Sequence, residues 1–151
     1  MQTVLYTMHF RGQVSRTTGN PSVLKSTISG TSCTMETVVG RDGAATTLHA
    51  APGELAFIEA ELRLTGHEEF EGSGALAFGE ESEHTLRFTS AKTGHLSPID
   101  KGGMLAGAIV WKVDGGDGRF AGATGFITSN FTFNETGALS EYQCGQIFIP
   151  D

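Results

Sequence analysis

The segment EHTLRF, residues 83–88, puts one histidine in register with two large apolar side chains. In a strand, successive side chains point to opposite faces, so His84 goes with Leu86 and Phe88, opposite Thr85 and Arg87. The apolar pair marks the inward face and carries His84 toward an interior, near its mouth. Imidazole titrates close to neutrality, which makes His84 a candidate acid or base; a lone histidine at such a place also serves as a hydrogen-bonded structural residue. The second candidate is Glu59, in ELAFIEAELRL, residues 54–64. A carboxyl on an apolar wall has a raised pKa and can hand over a proton. Whether Glu59 and Glu61 meet a cavity depends on which face is inward; the alternative leaves both in water beside Arg63.

Four further residues have the chemistry of a ligand wall. Trp111 shares a strand face with Ile109 and Val113, and Phe88 lies on the His84 face. Asn130 falls with Phe126, Thr128 and Thr132, while Phe131 and Phe133 fall with Ile127 and Ser129. A buried Asn130 amide would orient a carbonyl or hydroxyl; on the outer face it would have no such role. Tyr142 shares a face with Cys144 and Gln146, opposite Glu141 and Gln143. Cys144 has no assignable histidine partner and reads as a packed thiol rather than a nucleophile. There is no Gly-x-Ser-x-Gly elbow, and no His/Cys/Asp/Glu cluster has zinc spacing.

These side chains need strands to position them. Period-two alternation runs over Thr3–Val14, Val23–Glu36, Gly74–Phe78, His84–Thr89, Met104–Val113, Phe126–Phe133 and Leu139–Ile149. Gly30 is a possible bulge within the second of these. Pro52–Leu64 has helix-forming Ala, Glu and Leu, but Ala56, Ile58, Ala60, Leu62 and Leu64 alternate with Phe57, Glu59, Glu61 and Arg63, which favours a strand. NETGA, residues 134–138, joins the last two strands, with Gly137 free to take a positive φ. Short strands separated by glycine-rich turns, with 21 glycines and four prolines in 151 residues, predict one all-β sandwich or barrel domain spanning 1–151. FEGSGALAFG from Phe70 and FAGATGFITS from Phe120 echo one another, each a Phe that could plug a barrel end before a strand.

Composition narrows the partners. The formal charge of -7 and the scattered basic residues argue against nucleic acid. No apolar run approaches the ~20 residues of a membrane helix, and MQTVLYTMHF lacks the features of a signal peptide. Two distant cysteines, Cys33 and Cys144, read as reduced thiols. The expectation is a cytoplasmic protein, with a homo-oligomer possible.

The glycine-rich stretch GGDGRFAGATGFITSNF, residues 115–131, decides between a phosphate loop, a calcium loop and a β-turn. No helix follows it and no Gly-Lys-Ser/Thr is present, which removes the phosphate loop. It lacks the ligand spacing of an EF-hand. A turn that lets the chain re-enter a sheet remains. The same stretch resembles the Gly-x-Gly-x-Phe/Tyr-x-Gly-x-x-Gly segment of allene oxide cyclases, dirigent proteins and bacterial spirotetronate-forming cyclases. GAIVWKV before it and FITSNFTFNETGALSEYQCGQIFI after it stand in the matching order. The resemblance implies an eight-stranded antiparallel barrel of calycin-like type. It also implies a hydrophobic cavity, no metal or other cofactor, and either cyclisation or isomerisation of a small apolar molecule or simple carriage of it. A filled, purely structural barrel is the remaining alternative.

Overall fold

A computed structural model describes all 151 residues. Ten strands appear in order: β1 (Gln2–Thr17), β2 (Asn20–Gly40), β3 (Gly43–Ala50), β4 (Ala56–Leu64), β5 (Glu69–Phe78), β6 (His84–Ser90), β7 (Gly94–Pro98), β8 (Leu105–Asp117), β9 (Thr124–Phe133) and β10 (Ala138–Ile149). All pairings are antiparallel. The order β1-β10-β9-β8-β6-β5-β4-β2 is closed by β2 pairing with β1. β7 continues the lane of β6, pairing with β5 and β8 on the same two sides. The result is the expected closed eight-stranded antiparallel barrel.

Alternation fixes which side chains look inward. Along β4, Ala56, Ile58 and Leu62 are buried while Phe57, Glu59, Glu61 and Arg63 are exposed, so the pattern overrides local helix propensity. Phe10 of β1, Ile28 of β2, Leu86 and Phe88 of β6, Ile127 of β9 and Ile147 of β10 are almost wholly buried in one core. Gly30 is not a bulge; it pairs in register with Phe10, and a side chain there would strike the His9 carbonyl of the adjacent strand.

The two barrel ends differ. At one end, Phe120 packs edge-on against Phe78 at 5.7 Å and closes the interior. Phe70, the other half of the internal echo, is fully buried toward the opposite end, against Phe131. That opposite end is ringed by the 18–19 turn and the loops 65–68, 99–104 and 134–137. The glycine-rich stretch is a turn between β8 and β9. Gly122 and Gly125 have φ of 70° and 141°, and a side chain on Gly125 would collide with the Gln146 carbonyl.

The second half of β2 leaves the barrel. It pairs only with β3, as a two-stranded ribbon over Cys33–Gly40 and Gly43–Ala50. All of β3 is exposed, which is why no alternation marked it in the sequence. No helix is long and apolar enough to cross a membrane.

Candidate active site in the barrel interior

The strongest polar feature of the core is a chain of five side chains. β8 turns Trp111 inward, β9 Ser129, β10 both Glu141 and Gln143, and β1 Tyr6. The Trp111 Nε1–H donates to Ser129 Oγ at 2.9 Å, and Ser129 Oγ–H donates to Glu141 Oε1 at 2.7 Å. Gln143 Nε2–H donates to the same Oε1 at 2.6 Å, and the Tyr6 hydroxyl donates to Gln143 Oε1 at 3.1 Å. Cross-strand register explains the meeting: Ser129 opposes Gln143, and Glu141 opposes Phe131 two residues nearer the open end, the next pair on the same face. Ser129, Glu141 and Gln143 are all buried.

Burial drives the Glu141 carboxyl above its ordinary pKa, and the bonds from Gln143 and Ser129 offset only part of that. Burial and the neighbouring Glu141 likewise push the Tyr6 phenol far up, so it stays protonated. Glu141 Oε1 receives both donors, while Oε2 receives none. Glu141 lines an interior cavity of about 20 Å³, whose wall is otherwise mostly apolar and includes Phe88, Trp111 and Phe133. By the same measure a water needs ~10–15 Å³, so this cavity has room for about one. The expected roomy interior is therefore absent; Trp111, Phe88 and Phe131 fill it. A larger recess of about 910 Å³ lies at the open end, with Leu24, Leu64, Leu96 and Leu105 in its wall and Arg16, His67, Glu68 and Glu135 at its polar positions.

The sequence candidates divide clearly. Trp111 and Phe88 face the cavity, their rings 5.1 Å apart. His84 is on the inward parity but stands at the closed end rather than the mouth. It accepts a hydrogen bond from the Arg119 backbone N–H at Nδ1, 3.3 Å, and packs on Phe78. Glu59 does not face the interior, because Ile58 and Leu62 take the inward parity of β4; it borders an outer-surface hollow with Glu61 and Arg87. Asn130 is exposed, since Ile127, Ser129 and Phe131 occupy the inward face of β9. Tyr142 also points outward, stacking on His9 at 4.4 Å. Cys144 is exposed on that outer face rather than packed, beside Thr7. No group of three or more His, Cys, Asp or Glu residues is arranged to hold a metal ion.

Glu141 was the residue that alternation left unsingled. A signal existed: Leu139, Ile147 and Ile149 share its parity in β10, and three aliphatics outweigh the two aromatics of the other parity, Tyr142 and Phe148, as a marker of the inward face.

The architecture is a closed eight-stranded antiparallel barrel of a kind also seen in a solved dirigent protein. A solved structure described as the pterocarpan synthase dirigent protein GePTS1 is similar, with a TM-score of 0.58 over 99% of this chain and 89% of that one, at 13% sequence identity. At that identity the likeness is one of fold. No family model matches the chain, and no curated protein matches it.

Proposed function

We propose that the barrel binds a small, mostly apolar organic molecule and steers its cyclisation or isomerisation, with Glu141 as the proton donor. The observation that carries this reading is one buried carboxyl, held above its ordinary pKa, lining an apolar cavity with one oxygen unengaged. A neutral carboxyl in such a place can protonate or polarise a single basic atom as charge develops there, while the body of a substrate has room only in the recess at the open end. The name of the structural neighbour, a pterocarpan synthase, places a barrel of this shape in small-molecule synthesis in another chain. His84 and Glu59 drop out of this role because neither reaches the cavity.

A carrier without turnover is the second reading. It is favoured by Glu141 being the sole ionisable group in the cavity wall, which leaves no partner base. The test begins with N-phenyl-1-naphthylamine, a fluorescent apolar probe. Native protein should take it up and be stabilised against heat by mass action. Absence of both effects refutes any ligand-binding role and leaves a structural barrel. Given a turned-over substrate, Glu141→Gln should keep probe binding and lose roughly 10²–10⁴-fold in rate. A carrier would show no turnover in either form.

A further inference from the structure

The cavity at Glu141 and the recess at the open end share two wall residues, Val14 and Phe133. Phe133 is half-buried at the last position of β9, its ring stacked on Phe131 at 6.3 Å. Val14, on the other side of β10 from β9, is held by its backbone N–H donating to the Gly137 carbonyl at 2.8 Å. These two side chains therefore stand between a space for one water and a space in the ~300–1,000 Å³ range of ligand pockets.

The hydrogen-bond chain sets what the inner space offers. An indole N–H can only donate, so Ser129 must accept from Trp111 and spend its single proton on Glu141 Oε1. Gln143 adds a second donor to that oxygen. With Oε1 accepting twice, the proton of a neutral Glu141 sits on Oε2, the atom left to the cavity. Across the cavity, the buried Ser26 hydroxyl also lines the wall. The other side chains of that wall, apart from Gln143, are apolar. Tyr6 is the other titratable side chain of the network, and its proton is committed to Gln143. What the inner space lacks is a fixed charge; what it presents is the Glu141 Oε2–H donor and the Ser26 hydroxyl, which can donate or accept.

We propose that recess and cavity are one two-part site that takes its ligand acceptor-first. An uncharged oxygen of a ketone, ether or epoxide passes Phe133 and Val14 to meet Glu141 Oε2–H and Ser26, and the apolar remainder lies in the recess. This rests on the ligand-binding reading above and adds the class and orientation of the ligand. Charged heads are excluded: an ammonium would have no anion to meet while Glu141 keeps its proton, and a carboxylate would be desolvated without a cation. The recess rim, with Glu68 and Glu135 against Arg16, gives an anionic tail no net attraction.

The probes are 2-octanone, octane, octylammonium and octanoate, tested by calorimetry and thermal stabilisation on the whole protein. The ketone should bind about 3–10-fold more tightly than the hydrocarbon, the effect of one net hydrogen bond, and both ions more weakly. Glu141→Gln separates this from acid catalysis, because its amide still donates into the cavity: ketone preference should survive there and vanish in Glu141→Met. Where Glu141→Met fails to fold, pH replaces it. As pH rises through the Glu141 ionisation, followed by the infrared band of its protonated carboxyl, the preference should fall in the wild type and persist in Glu141→Gln. Phe133→Trp should slow or abolish ketone-selective binding while octane still enters the recess. Equal binding of ketone and octane by wild type would overturn the inference and leave the barrel as a binding site. Failure of all four probes would overturn both readings.

Discussion

Ser129 Oγ–H donates to Glu141 Oε1 at 2.7 Å while accepting from the Trp111 indole, so one hydroxyl joins three strands and orients the carboxyl. Its removal orphans a buried indole N–H and takes a donor from the carboxyl. Ser129→Ala should destabilise by about 1–3 kcal/mol. Trp111→Phe removes the donor that depends on it, so the double variant should cost less than the sum of the two singles. Urea denaturation of the four proteins measures this; strict additivity would mean that the two side chains are not coupled.

Glu141 ties stability to pH with a definite sign. Its folded pKa is raised by burial above the unfolded value. The folded state therefore holds its proton over a range where the unfolded state has released it, and stability drains away as pH rises through that range. The contribution is intact below the ordinary carboxyl pKa and is gone above the folded one. Glu141→Gln removes this linkage. The stability of wild type relative to Glu141→Gln should fall with increasing pH by up to about 1.4 kcal/mol per pH unit. A difference that is flat with pH, or one that rises, would contradict a raised pKa.

The turn before β9 and the start of that strand have a backbone that only glycine takes without strain. Gly125 combines φ of 141° with strand contact against the Gln146 carbonyl. Gly122 has φ of 70°, with a side chain there meeting only the ring of Pro150. Gly122→Val and Gly125→Val should each cost on the order of 1–3 kcal/mol, Gly125→Val the more because backbone cannot move aside as a ring can. Thermal melts rank them. Two variants that melt like the parent but lose probe binding would make the turn a binding element.

The fold was legible because a barrel writes its inside and outside at period two. β4 is the clearest case: Ile58 and Leu62 alternating with Glu59, Glu61 and Arg63 specify both strand and face. β3 was illegible for the opposite reason. Exposed on both faces, Gly43–Ala50 has no burial to select apolar residues at alternate positions. The five residues of β7, including a proline, gave too short a pattern. The site was harder still. β9 has aromatics on both faces, Phe126 outward and Phe131 inward, and β10 sets the aromatics Tyr142 and Phe148 outward against the aliphatics Leu139, Ile147 and Ile149 inward. Choosing the wrong parity there exchanges Asn130 for Ser129 and Tyr142 for Glu141, the whole polar network at once.

β2 should show two stabilities in one continuous strand. Asn20–Gly30 lies within the barrel, whereas Cys33–Gly40 pairs with β3 alone. Val38 and Val39 are exposed in the ribbon, and a two-stranded ribbon is marginal in water by itself. Native-state hydrogen exchange should find the ribbon amides exchanging by local opening and those of Leu24–Ile28 only through far larger openings. Uniform protection along β2 would show that the ribbon is held by contacts beyond its own pairing.

The two cysteines test the parity of β10 directly. Cys144 lies on the outer face with Tyr142 and Gln146, exposed, whereas Cys33 is buried at the base of the ribbon and burial pushes its thiol pKa up. Thiolate is the reactive species, so access favours Cys144, while burial keeps the Cys33 thiol both covered and protonated. A chromogenic disulfide reagent should label one thiol rapidly in the native protein and the second only on unfolding or on opening of the ribbon. Cys144→Ser should abolish the fast phase, and Cys33→Ser should leave it unchanged. Protection of Cys144 in the native monomer would mean that β10 is turned over by one residue. That would send Tyr142 inward, move Glu141 into water and remove the acid from the cavity.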